Sequence, residues 1–428
     1  MNITEIKSAR TADSYYKIDH PSGLTVFVYP KEGYKSSYAI IGTRYGSVNT
    51  CFSLDGGEKI TVPDGIAHYL EHKLFESEDG DAFARYAETG ASANAYTSFE
   101  KTCYLFSCTD RFDDSLQILL DFVQSPYFTA ETVAKEQGII GQEIKMYDDS
   151  PDWRVMFNML ESMYHNHPVK IDIAGTVESI AEITAEKLYD CYNTFYNLNN
   201  MVLCAAGNVT VEQVTAICDK MLKPCEKHTI ESFFEDEPYE IVKPYVEQSF
   251  PVSVPIFNLG FKERADRPLN ERELAQTDIL LEMIGSSTSE LYQQMMDDGL
   301  INSSFTFELF EGPGYRAVIF GGESRAPRQA AEAIKQYISR LKSEGLDRED
   351  FETAKKAVYG DVISSLNSVS SIANMVSGFW FNGNDIAAYT DAVAEADFDG
   401  VQKRLADMLD VGNCTLSVVK NGEEQHGV

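Results

Sequence analysis

The chain has 428 residues, of which 43% are hydrophobic and 24% are charged, and its formal net charge is -31 at pH 7. This length and composition favour two domains with sizeable cores and exclude a largely disordered chain. So acidic a balance argues against nucleic-acid binding, which needs a basic face, and would suit basic partners instead.

The cysteines and the amino-terminal stretch indicate where the protein works. Eight cysteines are scattered along the chain without a C-x-x-C pair, which is typical of reduced, mostly buried thiols. The first residues, MNITEIKSARTADSYYKID, lack the apolar segment of a signal peptide. No apolar run approaches the ~18 residues that a membrane-spanning helix needs. We therefore expect a cytoplasmic protein that does not cross a membrane.

The first half of the chain mixes strand and helix patterns. Asp64 is predicted to cap a helix that carries HYLEH, and a second helix is predicted to end at Gly90. Three further helices are predicted in this half, and their sequences are TAETVAKEQGIIGQEIKMYDD, PDWRVMFNMLESMYH and TVEQVTAICDKMLKP. β-branched and aromatic runs predict strands, and these runs are LTVFVYP, SYAIIGTRYGSV, SANAYTSF, TCYLFSCT and NMVLCAAGNV.

The second half repeats this order in outline. Residues 226–248 are acidic, carry two prolines and lack clean periodicity, so we predict a linker there. The endings NNMVLCAAGNV and VGNCTLSVVKNG are alike in pattern, which indicates a duplicated unit. We predict an α+β fold with two homologous domains, residues 1–225 and 249–428. Each domain would be an antiparallel-rich sheet with helices packed on it.

The stretch HYLEH places His68 and His72 four residues apart, in a chain with only seven histidines. On a helix these positions share one side, so both imidazoles can bind one metal ion. Glu71 shares that side and is close enough to polarise a water molecule. A catalytic zinc ion takes three protein ligands and keeps one open position, so a third ligand must come from elsewhere.

The later helix supplies two candidates for that third ligand. Glu136 and Glu143 are seven residues apart, or two helical turns, and therefore face the same way. One of them can complete the metal site, and the other can accept a hydrogen bond that orients a ligand. Without the histidines, both glutamates would be read as ordinary surface acids.

Together, HYLEH and the downstream EQGIIGQE resemble the pitrilysin/insulinase family of zinc metallopeptidases, whose motif is H-x-x-E-H followed by a distant glutamate. The resemblance implies that His68, His72 and Glu143 are zinc ligands. It further implies that Glu71 is the general base and that Glu136 supports it. Residues 1–225 would then be the catalytic zinc-binding domain, and residues 249–428 the homologous domain without zinc.

The resemblance covers essentially the whole chain. ASANAYTSFEKTCYLFS resembles the family segment in which an edge strand pairs with substrate, which implies substrate contacts for Ala93, Asn94 and Ala95. SELYQQMMDDGLINSSF resembles a segment of the second half. The length matches the short bacterial, processing-peptidase-like branch, whose members commonly pair as a clam-like chamber. The expected substrates are short or unfolded peptides, and the expected partner is an identical or a related chain.

One departure from the family pattern keeps a second hypothesis open. Many members carry an arginine and a tyrosine in the second half that bind the substrate carbonyl and the oxyanion, and QQMMDDGLINSSF has neither. Tyr315 and Arg316 lie further along and are not assigned that role. The alternative is therefore a non-catalytic structural or assembly subunit, although such subunits usually lack an intact motif.

His165 and His167, in the stretch YHNHP, offer a weaker metal-binding pattern. Their spacing of two residues next to a proline fits a structural role in a loop better than it fits a metal site.

Overall fold

The computed structural model describes residues 1–8, 10–11, 13–78 and 80–422. The strands are β1 (Asn2–Lys7), β2 (Ser14–Asp19), β3 (Thr25–Pro30), β4 (Ser37–Thr43), β5 (Cys51–Leu54), β6 (Ile60–Thr61), β7 (Glu76–Ser77), β8 (Gly80–Asp81), β9 (Ser92–Thr97), β10 (Thr102–Cys108), β11 (Met201–Gly207), β12 (Ile230–Ser232), β13 (Tyr245–Ser249), β14 (Ile256–Lys262), β15 (Thr306–Gly312), β16 (Tyr315–Glu323) and β17 (Cys414–Lys420).

The helices are α1 (Ile66–Leu74), α2 (Ala82–Thr89), α3 (Phe112–Val123), α4 (Ala130–Asp148), α5 (Pro151–Met163), α6 (Val177–Ile180), α7 (Ala185–Phe195), α8 (Val211–Met221), α9 (Glu271–Gly285), α10 (Glu290–Asp297), α11 (Pro327–Glu344), α12 (Arg348–Ser365), α13 (Val369–Phe381), α14 (Ile386–Glu395) and α15 (Phe398–Asp407). Short 3₁₀ turns occupy Pro168–Lys170 and Leu198–Asn200.

Each half of the chain builds one main sheet, and the two sheets share a plan. In the first sheet the strand order is β1-β2-β3-β11-β4-β10-β9, and in the second it is β13-β17-β14-β16-β15. In each sheet one pair is parallel, β3 with β11 and β13 with β17, while the other pairs are antiparallel. Five strands of the first sheet therefore match the second strand for strand. The predicted α+β fold of two related, antiparallel-rich domains is confirmed.

The compact units do not coincide with the two halves of the sequence. The first unit contains residues 1–144, 172–233 and 362–388, and the second contains residues 145–171, 234–361 and the chain from Tyr389 onward. In the first unit α13 packs on β11 and β4, and in the second unit α5 packs on β17 and β14. Each sheet thus takes one covering helix from the other half of the chain. The predicted domains, residues 1–225 and 249–428, are defined by sequence similarity between the two halves and not by packing. They therefore stay a prediction.

Equivalent strands carry a glycine where the covering helix comes close. A Cβ atom on Gly42 of β4 would lie 2.8 Å from Cζ of Phe381, at the end of α13. A Cβ atom on Gly260 of β14 would lie 2.3 Å from Cε of Met163, at the end of α5. Because real Cβ atoms do not approach other atoms so closely, glycine at these positions lets each helix lie directly on its sheet.

The segment predicted as a linker, residues 226–248, contains more structure than its sequence pattern indicates. Within it, β12 pairs with β5, and β13 begins at Tyr245 and pairs with β17. Glu237 accepts hydrogen bonds from the backbone N–H groups of His165, Asn166 and His167 at 2.7–2.9 Å. Its carboxylate also lies 2.6 Å from the buried ammonium group of Lys262. Residues 226–233 therefore belong to the first unit, and residues 234–248 to the second.

The predicted loop role of the YHNHP stretch agrees with the contacts of His167. Its Nε2 atom lies 2.9 Å from the carbonyl oxygen of Pro313, and its Nδ1 atom accepts a hydrogen bond from the backbone of Val169. Burial lowers the pKa of His167 to about 4. Since both ring nitrogens are engaged, this histidine holds the loop together.

All eight cysteines are free thiols, and six of them are buried. Among the described residues, no helix combines the length and the apolar composition required to cross a bilayer.

Candidate metal centre

The site begins on α1, the helix that carries HYLEH. The helix starts after Gly65, whose φ of 86° is left-handed, and no side chain caps it. The prediction that Asp64 is the cap is therefore wrong. A Cβ atom at position 65 would lie 2.3 Å from the carbonyl oxygen of Ala174, so close backbone approach rather than capping decides where the helix begins.

Helix α1 places both histidine rings on one side. The ring centroids of His68 and His72 are 4.6 Å apart. Helix α4 brings Glu143 to the same point: its carboxylate oxygens lie 3.7 Å from Nε2 of His68 and 3.3 Å from Nε2 of His72. Among the described residues, this is the group of His, Cys, Asp and Glu side chains close enough to hold a metal ion.

These spacings fit a tetrahedral metal ion. Ligand atoms about 2.0–2.2 Å from a zinc ion lie roughly 3.3–3.6 Å apart at the corners of a tetrahedron. The distances from Glu143 to the two imidazole nitrogens are 3.3 and 3.7 Å, and all three donor atoms lie within 4.8 Å of one another. Two imidazoles and one carboxylate are also a donor set that catalytic zinc prefers.

Glu136 lies on the other side of the second histidine. Its Oε1 atom is 3.1 Å from Nδ1 of His72, which leaves Nε2 of that ring facing Glu143. This contact fixes the orientation of one ring only, because Nδ1 of His68 is buried without a hydrogen-bond partner in the described part of the chain. The hydrogen bond to His72 in turn lowers the pKa of Glu136.

The protonation of His72 reflects its two carboxylate neighbours. Burial alone would lower its pKa, but the hydrogen bonds to Glu136 and Glu143 outweigh burial and raise the pKa to about 10. At neutral pH the metal-free protein therefore holds a proton on this ring, and a metal ion must displace that proton to bind there.

Glu71 is held apart from the three donor groups. Its side chain is buried, and Oε2 accepts a 2.8 Å hydrogen bond from the hydroxyl of Thr97. Burial raises the pKa of Glu71, although the neighbouring histidines and Thr97 oppose that effect. A carboxylate that is desolvated, oriented and adjacent to a metal site has the properties of a general base.

Thr97 is the site residue that sequence reasoning missed. It closes β9 opposite Thr102 of β10, and strand alternation sets its side chain toward α1. The available indication was the strand pattern SANAYTSF itself, which placed Thr97 on the strand next to the motif helix. A pattern of this kind does not tell which side chain of a strand reaches a helix.

Two contacts fix the helices around the site. The hydroxyl of Tyr69 donates a hydrogen bond to the carbonyl of Val133, which joins α1 to α4. Lys73 is fully buried and pairs with Glu76, just after the end of α1. The orientation of the motif helix thus depends on residues between and beyond the metal-binding positions.

Strand β9 lies at the edge of the first sheet, next to α1. Asn94 and Ala95 on this strand line a cavity of 570 Å³ together with Glu71, His72 and Glu136. Ala93 lies on the same strand but is not part of the cavity lining. The structure therefore places two of the three predicted substrate-contacting residues beside the metal-binding group.

Arg316, which is not assigned a role in substrate binding, contacts other residues of the second unit. Arg316 is buried, and its guanidinium donates hydrogen bonds to the carbonyls of Arg264 and Arg267 and pairs with Glu311 at 2.8 Å. Tyr315 is also buried. These contacts give Arg316 a structural role within the second unit.

Comparison with known proteins places this geometry in a family. Residues 61–177 match the family model described as insulinase (peptidase family M16), and residues 182–358 match the one described as peptidase M16 inactive domain. The Bacillus subtilis (strain 168) protein named uncharacterized zinc protease YmfH is 38% identical over 425 residues, which cover 97% of this chain and 99% of that protein.

Solved structures share the same architecture. The crystal structure of an M16-like peptidase from Alicyclobacillus acidocaldarius has a TM-score of 0.93 and 34% identity, covering 97% of this chain and 100% of that one. A protease from Helicobacter pylori has a TM-score of 0.82 at 19% identity, covering 95% of this chain and 99% of that one, and shares the fold.

Proposed function

Because the chain belongs to the insulinase (peptidase M16) family, we propose that it is a zinc-dependent endopeptidase that cleaves short or unfolded peptides. The observation that carries this proposal is the convergence of His68, His72 and Glu143 beside the buried carboxylate of Glu71. These residues lie at positions that match the peptidase model rather than the inactive-domain model.

His68, His72 and Glu143 would hold the zinc ion, and Glu136 would keep the ring of His72 in the tautomer that binds through Nε2. A zinc ion held there supplies Lewis acidity, which activates water and polarises the peptide carbonyl. Neutral imidazoles bind metal, so loading the site at neutral pH releases the proton that His72 holds in the metal-free protein.

Glu71 would move the proton during the reaction. Thr97 holds Oε2, which leaves Oε1 to take a proton from the attacking water and to return it to the leaving amine. Burial raises the pKa of Glu71 toward neutrality, which improves a carboxylate as a proton acceptor and as a later donor.

The edge strand would hold the peptide. The outer side of β9 is not paired with another strand in the described sheet, so its backbone groups can pair with an extended substrate. Main-chain pairing does not depend on the side chains of the peptide, so it suits an enzyme that cleaves many different unfolded peptides. Asn94 and Ala95 would contact the peptide next to the bond that is cleaved, and Ala93 would contribute backbone pairing further along the strand.

Pairing and location also belong to this proposal. We infer a clam-like assembly with an identical or a related chain. The assembly would exclude folded proteins from the site and would supply the arginine and tyrosine that are missing from QQMMDDGLINSSF. The free cysteines suit the reducing environment of the cytoplasm.

A non-catalytic assembly subunit is the second candidate. It is favoured by the match of residues 182–358 to the inactive-domain model and by the missing arginine and tyrosine. The two candidates differ in one measurable property, because a structural subunit needs no general base.

The test compares the full chain with Glu71→Gln. We expect both proteins to bind one equivalent of zinc, and the variant to lose at least about a hundredfold in cleavage rate on quenched fluorescent peptides. Glu88→Gln, on the exposed side of α2, is the matched control and should retain activity. A Glu71→Gln protein with full activity would refute the assignment of the base. Wild-type protein that binds zinc but cleaves no peptide, both alone and together with a related partner chain, would support the assembly role.

A further inference from the structure

The cavity beside Glu71 has two kinds of lining. Apart from the groups assigned to catalysis and to the substrate strand, its lining includes an apolar set and an acidic set, together with Ser77, Gly80 and Lys135. The apolar set is Phe75, Phe83 and Ile139, and the acidic set is Glu76, Glu78 and Asp81. The volume of 570 Å³ is large enough for one long side chain with its hydration.

Two of the three apolar residues, Phe83 and Ile139, are unusually exposed for their residue types, whereas Phe75 is buried. The rings of Phe75 and Phe83 stack with centroids 4.3 Å apart and an interplanar angle of 18°. Phe83 remains 46% exposed, and Ile139 remains 51% exposed. Large apolar side chains left open at a cavity lose that exposure when a ligand covers them, and covering them is favourable by the hydrophobic effect.

The acidic set decides which chemistry suits the open end of the cavity. Glu76 is engaged by Lys73 and lies 3.9 Å from Nζ of Lys135. Glu78 and Asp81 are exposed, and Asp81 accepts a hydrogen bond from the backbone N–H of Phe83 at the start of α2. Lys135 is the one lysine or arginine among the lining residues, and it lies with the three acidic residues, so this end of the cavity carries a net negative charge.

Building on the proposed peptidase function, we propose that this cavity selects peptides with an arginine or lysine next to the scissile bond. The methylene stem of such a side chain would lie along Phe75, Phe83 and Ile139. Its charged head would reach Glu78 and Asp81 and could also approach the face of the Phe83 ring. A neutral apolar side chain would satisfy only the apolar set, and an acidic one would be repelled.

The experiment uses the zinc-loaded full chain and a library of short unstructured peptides. Each position in turn carries arginine, citrulline, norleucine or glutamate, and mass spectrometry locates the cleaved bond. Citrulline has the shape of arginine without its charge. At the position that enters the cavity we expect arginine to exceed citrulline in kcat/KM by roughly two- to fivefold, as partly exposed charge pairs allow.

Variants of the cavity should change this ratio in a defined pattern. Glu78→Gln combined with Asp81→Asn, which keeps an amino-terminal cap on α2, should reduce the ratio to near one. Lys135→Gln should raise the ratio, because it removes the opposing cation. Phe83→Ala should lower kcat/KM for arginine and citrulline alike. Glu88→Gln, an exposed acid of α2 outside the cavity, should leave the ratio unchanged.

A second readout separates this inference from the proposed activity. The zinc-loaded Glu71→Gln protein should bind arginine peptides more tightly than citrulline peptides in a competition assay, even if no peptide is turned over. Equal binding and equal cleavage of the two series, or a preference for norleucine, would overturn the inference while leaving the peptidase proposal intact. Preferential binding without any cleavage by the wild type would count against the peptidase proposal alone.

Discussion

Three glutamates surround two histidines in this site, and their surroundings separate their roles. Glu143 faces the Nε2 atoms of both rings, Glu136 contacts Nδ1 of His72, and Glu71 is buried against Thr97. The pKa of Glu71 is raised by burial, whereas the pKa of Glu136 is lowered by its bond to His72. Chemically identical side chains thus have different surroundings, and those surroundings suit the three roles proposed for them: ligand, supporting acceptor and base.

Glu136→Gln tests the supporting role. The amide can still accept a hydrogen bond from Nδ1 but no longer carries a charge, so we expect zinc affinity to fall by roughly 10- to 100-fold. The pKa of His72 should fall as well, because one of the two carboxylates that raise it is gone. Competition with a zinc chelator at several pH values measures both effects. Glu131→Gln, an exposed position in the first turn of α4, is the control, and an equal affinity in both variants would contradict the role.

Glu237 is a residue-scale anchor of the second unit. Burial alone would raise its pKa, but Lys262 and the three backbone N–H groups of residues 165–167 outweigh burial and lower the pKa to about 2. A lowered pKa in the folded state means that the ionised carboxylate stabilises the fold at neutral pH. That contribution is present above the ordinary pKa of about 4.5 and is lost as the pH falls from there toward about 2.

We expect Glu237→Gln to lower the free energy of unfolding of the second unit by roughly 2–4 kcal/mol at pH 7, since it leaves the buried charge of Lys262 without its partner. Urea unfolding at a series of pH values measures this difference, which should narrow as the pH falls below about 4.5. Glu235 is an exposed neighbour, so Glu235→Gln is the control and should change the free energy of unfolding little at any pH. A difference that stays constant down to pH 2 would contradict the assignment.

At the scale of elements, hydrophobic pattern and turn residues predicted several helices and strands that the structure contains. The hairpin of β9 and β10, the end of α2 at Gly90 and the long helices α4 and α5 all agree with the structure. The start of α1 does not, because Gly65 rather than Asp64 precedes the helix. Local propensity favours Asp64 as the cap. The carbonyl of Ala174 lies so close to position 65 that only glycine fits there, and the helix begins after that glycine.

Gly138 and Gly42 differ in the space around them, so replacing each with alanine should change stability in opposite directions. Gly138 lies in α4 with no atom within 4 Å of a Cβ built on it, so Gly138→Ala should stabilise the protein by about 0.5–1 kcal/mol. Gly42→Ala would place a Cβ 2.6 Å from Sγ of Cys103, so it should destabilise the protein by about 1–3 kcal/mol. Thermal unfolding of both variants measures the effects, and shifts of the same sign would contradict the explanation.

At the scale of the whole molecule, the two sheets exchange their covering helices. The apolar side of α13, with Ile372, Ala373 and Val376 buried, packs on strands that were formed by the first half of the chain. The first unit is therefore not complete until residues 362–388 have been made. The two homologous domains correspond to the two halves of the chain, but each packed unit contains segments from both halves.

A fragment of residues 1–240 tests this dependence. Expressed alone, it should expose the sheet surface that α13 covers, bind a hydrophobic dye and be digested rapidly by protease. Expressed together with residues 241–428, it should regain the protease resistance of the full chain. A fragment that resists protease on its own would show that α13 is dispensable for the first unit.

The sequence by itself determined the α+β class, the duplication and two candidate ligands, His68 and His72, because these follow from local periodicity and from the fixed geometry of a helix. Periodicity left Glu136 and Glu143 as alternatives for the third ligand, and the family resemblance implied Glu143. Two histidines four residues apart share a face wherever that helix lies. Only the tertiary structure decided that Glu143 rather than Glu136 faces Nε2 of both rings, that Thr97 holds Glu71, and that a mixed apolar and acidic cavity opens beside them. Those facts depend on how separate elements pack, and contacts between distant segments leave no periodic trace in a single sequence.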